Sequence, residues 1–168
     1  MSVKFTVNMT EQYMYDFMLY HTYTHMSGLL GAILGVVGLG MGINALMSGE
    51  TSSAMLGFMI AILFLFVTPK NTKTRAKAQV TQSEMFKKPL EYEFHEEGIT
   101  VRQGDLEATN EWGEFAKAVS TQKSVIIYVT RVRALIFPKE CMGEQYEAAM
   151  KMIHTHMPPS KVKIRHIH

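Results

Sequence analysis

Two stretches of the chain, residues 26–47 and 51–68, contain no charged side chain. The first carries one strongly polar side chain, Asn44, and the second becomes more apolar toward its end. A helix of about 20 apolar residues spans the hydrocarbon core of a bilayer. Only Ser48-Gly49-Glu50 separates the two stretches. The pattern therefore predicts a transmembrane hairpin over residues 26–68.

Basic residues follow the second stretch, whereas the connector of the hairpin carries only Glu50. Because basic flanks stay in the cytoplasm, the sequence predicts an inner (plasma) membrane protein that crosses the bilayer twice with both termini cytoplasmic. The first stretch starts too far from Met1 for a cleaved signal peptide and lacks a basic flank before it. No disulfide is expected for the lone Cys141 on the cytoplasmic side.

Small residues recur at intervals of three and four along both predicted spans. They are Gly28, Gly31, Gly35, Gly38 and Gly42 on the first helix and Ala54, Gly57 and Ala61 on the second. Small residues let helix backbones approach closely in lipid. In an antiparallel hairpin, Phe64 and Leu65 fall at the depth of Gly35 and fill the space beside it. We expect packing between the two helices; a homodimer through the same face and a pore lining are the alternatives.

Residues 69–88 form a predicted basic linker that holds six bases and one acid. The bases are Lys70, Lys73, Arg75, Lys77, Lys87 and Lys88. We expect Pro69 to end or kink the second helix. The linker is interpreted either as a solvated connector or as a contact with anionic lipid headgroups. Nucleic acid is not expected as a partner, because no aromatic residues are interleaved with the bases up to Lys77.

In residues 1–25, before the first predicted span, the sequence pattern predicts a strand followed by an amphipathic helix. Residues 3–8 alternate apolar and polar side chains, as half-buried strands do. Thr10 is placed to cap a helix over residues 11–25, which we expect to lie on the membrane or to run into the first span.

From Leu90 onward the apolar period changes to two. The pattern predicts strands over 90–95, 99–103, 106–112, 115–120, 124–130 and 134–137, and then a helix over 143–157. Residues 89–157 are thus expected to form a small antiparallel barrel or sandwich closed by a C-terminal helix, and residues 158–168 a tail. The strand over residues 3–8 is expected on the same side of the membrane, where it can join this sheet as a seventh strand.

Charge is unevenly distributed over this predicted domain. Residues 91–114 hold eight acids and one base, and residues 117–139 hold five bases and no acid. We expect opposite charges to pair across neighbouring strands. The alternative is a basic face that meets the membrane or an acidic partner.

No catalytic, metal or cofactor site is expected from the sequence. His21 and His25 are four residues apart and suit zinc, but no carboxylate or cysteine nearby completes a site. The C-terminal part of the chain adds His154, His156, His166 and His168, which scatter over loop-like sequence with no third type of ligand at a fixed spacing from them. Cys141 lies near two of these histidines along the chain and is a weak nucleophile candidate.

A series of short motifs runs along nearly the whole chain. They are VKFTVN with Thr10, Tyr13 and Tyr20-His21, then Pro89-Leu90, Tyr92-Glu93-Phe94, Glu96-Glu97-Gly98-Ile99, Trp112, the IIYVT run and Ile136-Phe137-Pro138-Lys139. In this order they resemble the YcxB-like family of bacterial membrane proteins. The resemblance implies two membrane helices and a pleckstrin-homology-like β domain, and it transfers no activity and no catalytic residues.

The function expected from these features is that of a non-enzymatic membrane protein. Its cytoplasmic domain is expected to bind either an unknown protein partner or anionic lipid headgroups close to the bilayer. A membrane-surface enzyme and a small oligomeric pore or transporter accessory are the alternatives.

Overall fold

The computed structural model describes residues 2–164, so His166 and His168 lie outside the described residues. The chain divides into two compact units. Residues 18–78 form the first, here called the helical unit, and the described residues up to 17 and from 79 onward form the second, the globular unit. The architecture combines helices with largely antiparallel sheets.

The helices between residues 11 and 82 follow one another almost without interruption. They are α1 (Glu11–Thr24), α2 (Met26–Met47), α3 (Thr51–Ile62), a π-helical turn (Leu63–Val67) and α4 (Thr68–Gln82). Two helical stretches, Met26–Met47 and Thr51–Gln82, are long and apolar enough to cross a membrane.

Pro69 does not end the second helix, which continues through α4 to Gln82. A proline removes one backbone donor from a helix and crowds the preceding turn. Here the turn before Pro69 is widened, because the amide of Thr68 donates to the carbonyl of Leu63 five residues earlier. The Thr68 hydroxyl donates to the same carbonyl at 3.2 Å. The π-helical turn thus accommodates the proline, and most of the segment expected to be a connector is helical.

The first sheet of the globular unit is antiparallel throughout. Its strands lie in the order β1 (Val3–Val7), β2 (Leu90–Phe94), β3 (Gly98–Gln103) and β4 (Leu106–Glu111). Phe5 of β1 lies opposite Tyr92 of β2. The prediction that the N-terminal strand joins the sheet is therefore confirmed, and the helices α1 to α4 are an insertion between two neighbouring strands.

The second sheet has the order β7 (Ala134–Pro138), β6 (Ser124–Tyr128), β5 (Lys117–Ser120) and β8 (Val162–Lys163). β8 runs parallel to β5 and lies within the segment expected to be a tail. A strand of two residues carries no detectable period, which explains why the sequence pattern does not predict it.

An aromatic cluster forms the core of the globular unit. The ring of Phe137 lies 4.9 Å from that of Tyr92, 5.1 Å from that of Phe94 and 5.8 Å from that of Phe5. Two C-terminal helices, α5 (Lys139–Met142) and α6 (Tyr146–His156), follow β7. On α6, Met150 and Ile153 are buried as the period predicts, and Tyr146 is half-buried.

Candidate functional site

The glycine face of α2 is covered by the second helical stretch of the same chain. A Cβ atom added to Gly31 would lie 2.9 Å from the ring of Phe64, and one added to Gly35 would lie 2.8 Å from Cγ of Leu65. Likewise, a Cβ on Gly42 would meet the ring of Phe58 at 3.0 Å. Each of these positions can therefore hold only glycine without displacing a neighbour.

The two helix backbones approach most closely at Gly57 of α3. A Cβ atom there would lie 2.5 Å from the amide nitrogen of Gly42 and 2.7 Å from the carbonyl oxygen of Gly38. Ala54 and Ala61, one turn away on either side, are buried. The small residues of α3 thus face the small residues of α2.

Gly28 occupies a different environment from the other glycines of the stripe. A Cβ atom on Gly28 would lie 2.0 Å from the carbonyl oxygen of Thr22, in the last turn of α1. Gly28 therefore permits the close bend between α1 and α2.

A cavity of about 360 Å³ opens beside this bend, within the helical unit. One part of its wall is apolar and includes Gly31 and Phe64, and the other includes His21, His25 and Thr68. The centroids of the two imidazole rings are 4.3 Å apart.

All six basic residues of the predicted linker are exposed. Four of them lie on α4, and Lys70, Lys73 and Lys77 fall within a sector of about 60° of this helix, given 100° per residue. Thr72 and Ala76 are buried and lie on another face of α4. The three lysines thus form a stripe, here called the α4 lysine stripe, in the C-terminal part of the helical stretch Thr51–Gln82.

Acids and bases of the first sheet pair with one another across three strand boundaries. Glu93 lies 3.0 Å from the ammonium of Lys4 and 2.6 Å from the guanidinium of Arg102, which also lies 3.0 Å from Glu107. Hydrogen bonds from Arg102 and Lys4 hold the pKa of Glu93 below its ordinary value. Glu93 and Glu107 are therefore neutralised by bases from their own sheet.

The five bases of residues 117–139 do not pair with the acids of residues 91–114. Among the described residues no ion pair joins the two sets, so the expected pairing is wrong. The reason is register, because Lys4 and Arg102 stand beside the acids on adjacent strands. The ammonium of Lys117 instead lies 4.5 Å from the centre of the Tyr128 ring.

The other histidines and the cysteine are not brought together as metal ligands. No group of three potential ligand side chains that could hold a metal occurs among residues 2–164. His156 stacks on Trp112 with ring centroids 5.1 Å apart, and His154 is exposed. Partial burial raises the pKa of the Cys141 thiol, which disfavours the reactive thiolate.

Tyr13 connects α1 to α5 in the globular unit. Its hydroxyl donates a hydrogen bond to Glu140 at 2.8 Å, and this bond raises the pKa of Tyr13 to about 12. One helical turn later, the ring of Phe17 packs on that of Tyr128 with centroids 6.2 Å apart. The helical period places Phe17 on an apolar face, but only the fold identifies the strand that this face covers.

There is no significant match to this chain among curated proteins or among solved structures. Residues 94–153 match the family model described as YcxB-like protein, and over this segment the resemblance found in the sequence is confirmed.

Proposed function

We propose that this protein is a non-enzymatic bacterial inner-membrane protein whose globular unit is tethered to the bilayer by a helix that binds anionic lipid headgroups. The observation that carries the proposal is the α4 lysine stripe, an exposed row of bases in the C-terminal part of the helical stretch Thr51–Gln82. Bases near a bilayer surface each contribute about 1 kcal/mol to the attraction toward anionic lipid.

The pairing of β1 with β2 supports a hairpin that crosses the membrane twice. The two strands belong to one sheet, so the chain that leaves β1 must return to the same side before β2 begins. Two candidate spans lie between them, and two crossings satisfy this condition. The bases after the second span favour the cytoplasm as that side.

The arrangement of the globular unit supports a pleckstrin-homology-like domain. Two four-stranded sheets contain the seven expected strands, and α6 follows them with an apolar face buried in the unit. A domain of this kind next to a basic tether meets the bilayer surface at a high effective concentration.

This function is tested by measuring which lipids remain bound to the full-length protein. The protein is reconstituted into an equimolar mixture of phosphatidylglycerol and phosphatidylcholine and then extracted in mild detergent, and the retained lipids are counted by mass spectrometry. We expect several-fold enrichment of phosphatidylglycerol. The combined variant Lys70→Gln, Lys73→Gln and Lys77→Gln should lose most of it.

A matched control removes the same number of charges elsewhere. Lys123, Lys151 and Lys163 are exposed residues of the globular unit that lie outside the stripe, and their combined replacement by glutamine should leave the enrichment unchanged. Equal retention of both lipids by the wild-type protein would contradict lipid binding and favour a protein partner.

A further inference from the structure

The loop between β6 and β7, residues 129–133, presents an apolar side chain between two arginines. Val132 is 77% exposed, the largest exposed fraction of any large hydrophobic side chain in the described part of the globular unit. Arg131 and Arg133 on either side of it are also exposed. A single exposed apolar residue is common on protein surfaces, but here the neighbours of Val132 are charged and the loop that presents it has a fixed geometry.

The backbone of this loop is held by one side chain. The hydroxyl of Thr130 accepts hydrogen bonds from the amide of Arg133 at 2.9 Å and from that of Val132 at 3.3 Å. The amide of Val129 donates to the carbonyl of Arg133 at 2.9 Å and closes the turn. Because the turn is fixed in this way, little backbone entropy is lost when its tip meets a surface.

The positive charges of the β6–β7 loop are not neutralised by acids. No ion pair involves Arg131 or Arg133 among residues 2–164. Lys117 adds a third positive charge above the ring of Tyr128, at the base of the loop. The acid nearest to Lys117 along the chain, Glu114, accepts hydrogen bonds from Asn110 and from the amide of Glu111. The acid nearest to the two arginines, Glu140, accepts a hydrogen bond from the hydroxyl of Tyr13.

The chain leaves the globular unit beside this loop. Phe17 is the last residue of the unit before α1 enters the helical unit, and its ring packs on Tyr128, the residue that precedes the loop. The first candidate span begins nine residues later, at Met26. Eight residues of chain therefore separate Phe17 from the first candidate span.

From these observations we infer that the β6–β7 loop is a membrane-docking loop that inserts Val132 into an anionic bilayer while Arg131 and Arg133 contact lipid phosphates. The inference rests on the proposed function and names a second contact, separate from the α4 lysine stripe. Charge complementarity identifies the occupant as an anionic lipid surface, and the apolar tip between the two charges suits the boundary between headgroups and acyl chains.

Site-directed fluorescence on the full-length protein in nanodiscs tests the loop. Cys141→Ser removes the native cysteine, and Val132→Cys then carries an environment-sensitive dye. Gln122→Cys is the matched control, because Gln122 is exposed in the turn at the other end of β6, beside the basic Lys123. Nanodiscs contain phosphatidylcholine alone or with phosphatidylglycerol, and doxyl-labelled lipid quenches any dye that enters the bilayer.

We expect strong quenching at position 132 that increases with the fraction of phosphatidylglycerol, and none at position 122. In a companion labelled protein, replacing Arg131 or Arg133 by glutamine should weaken the apparent affinity for phosphatidylglycerol about fivefold for each arginine. Circular dichroism verifies that every variant is folded.

Absence of quenching at position 132 in folded protein would overturn the docking loop, and so would equal quenching at positions 122 and 132. The lipid-retention experiment separates this failure from that of the proposed function. If phosphatidylglycerol enrichment persists without quenching at position 132, only the loop is rejected. If the enrichment itself is lost, lipid binding by the protein is rejected too.

Discussion

The backbone amide nitrogen of Gly42 lies 2.5 Å from the position that a Cβ atom on Gly57 would occupy. The backbones of α2 and α3 are therefore in contact at this level, with no room for a side chain between them. Packing of this kind is the main stabilising interaction between helices in lipid.

Replacing Gly57 by leucine should separate the two helices and destabilise the hairpin. Overpacking of a close contact costs about 1–3 kcal/mol, and more where backbone atoms must move. Gly40→Leu is the matched control on the same helix pair, because a Cβ atom on Gly40 meets nothing within 4 Å. Thermal unfolding in detergent should show a lower Tm for the first variant only. Equal Tm values would contradict the packing of α2 on α3.

Replacing Phe137 by alanine should destabilise the globular unit by about 3–5 kcal/mol. Phe137 is fully buried and its ring contacts three other aromatic rings. Urea unfolding followed by the fluorescence of Trp112, the only tryptophan, measures the change. Leu106→Ala, at a site that is 74% exposed, should change the free energy of unfolding by less than about 0.5 kcal/mol.

Gly98 should not tolerate even a methyl group. A Cβ atom on Gly98 would lie 2.1 Å from the carbonyl oxygen of Asn110 on β4, which is backbone and cannot turn away. Gly98→Ala should therefore weaken the pairing of β3 with β4, and hydrogen exchange of amides in both strands should accelerate. Gly113→Ala provides the comparison, since a Cβ atom there meets nothing within 4 Å. Unchanged exchange in both variants would count against the register of this strand pair.

Glu93 should make the stability of the globular unit depend on pH in the acid range. Its folded pKa is lowered from 4.5, first by the hydrogen bond from Arg102 and then by that from Lys4. A carboxyl of this kind contributes stability that is fully present above its unfolded pKa and is lost as the pH falls through the folded pKa. Glu93→Gln should therefore be less stable than the wild type near pH 6, and the difference should shrink below a pH of about 4.5.

Denaturant titrations at several pH values, again followed by Trp112, measure this effect. Glu144→Gln serves as the control, because Glu144 is exposed and makes no ion pair among the described residues. The two proteins, wild type and Glu93→Gln, are compared by their free energies of unfolding from pH 6 to pH 3. If the difference stays constant over this range, the charge of the Glu93 carboxylate does not contribute to stability.

Local patterns predict much of this fold, because the apolar period of each segment follows from burial on one or both faces. The period of two in LEYEF predicts β2, and the apolar run in SVIIY predicts β6, which is buried on both faces. The spacing of three and four predicts which face of α2 carries small residues. In each case the signal lies within one element, so the sequence alone carries it.

Features that depend on residues far apart in the chain have no local sequence pattern that could predict them. The pairing of Lys4 with Glu93 requires the register between two strands that are far apart in the sequence. The continuation of the helix through Pro69 depends on a widened turn that has no simple sequence signature. The exposure of Val132 between the two arginines follows from the conformation of the turn and from the residues around it, which local sequence patterns do not specify. For the same reason the candidate docking loop is found in the structure and not in the sequence.

The position of β1 also has a consequence for the synthesis of the protein. β1 leaves the ribosome before β2, and more than eighty residues separate the two strands. At typical elongation rates this delay is roughly 4–16 s, and during it the helices between the two strands are made. The last edge of the first sheet can close only when the chain on both sides of these helices is in one compartment. If the two candidate spans cross the membrane as proposed, the sheet can be completed only after the second span has returned the chain to the side of β1.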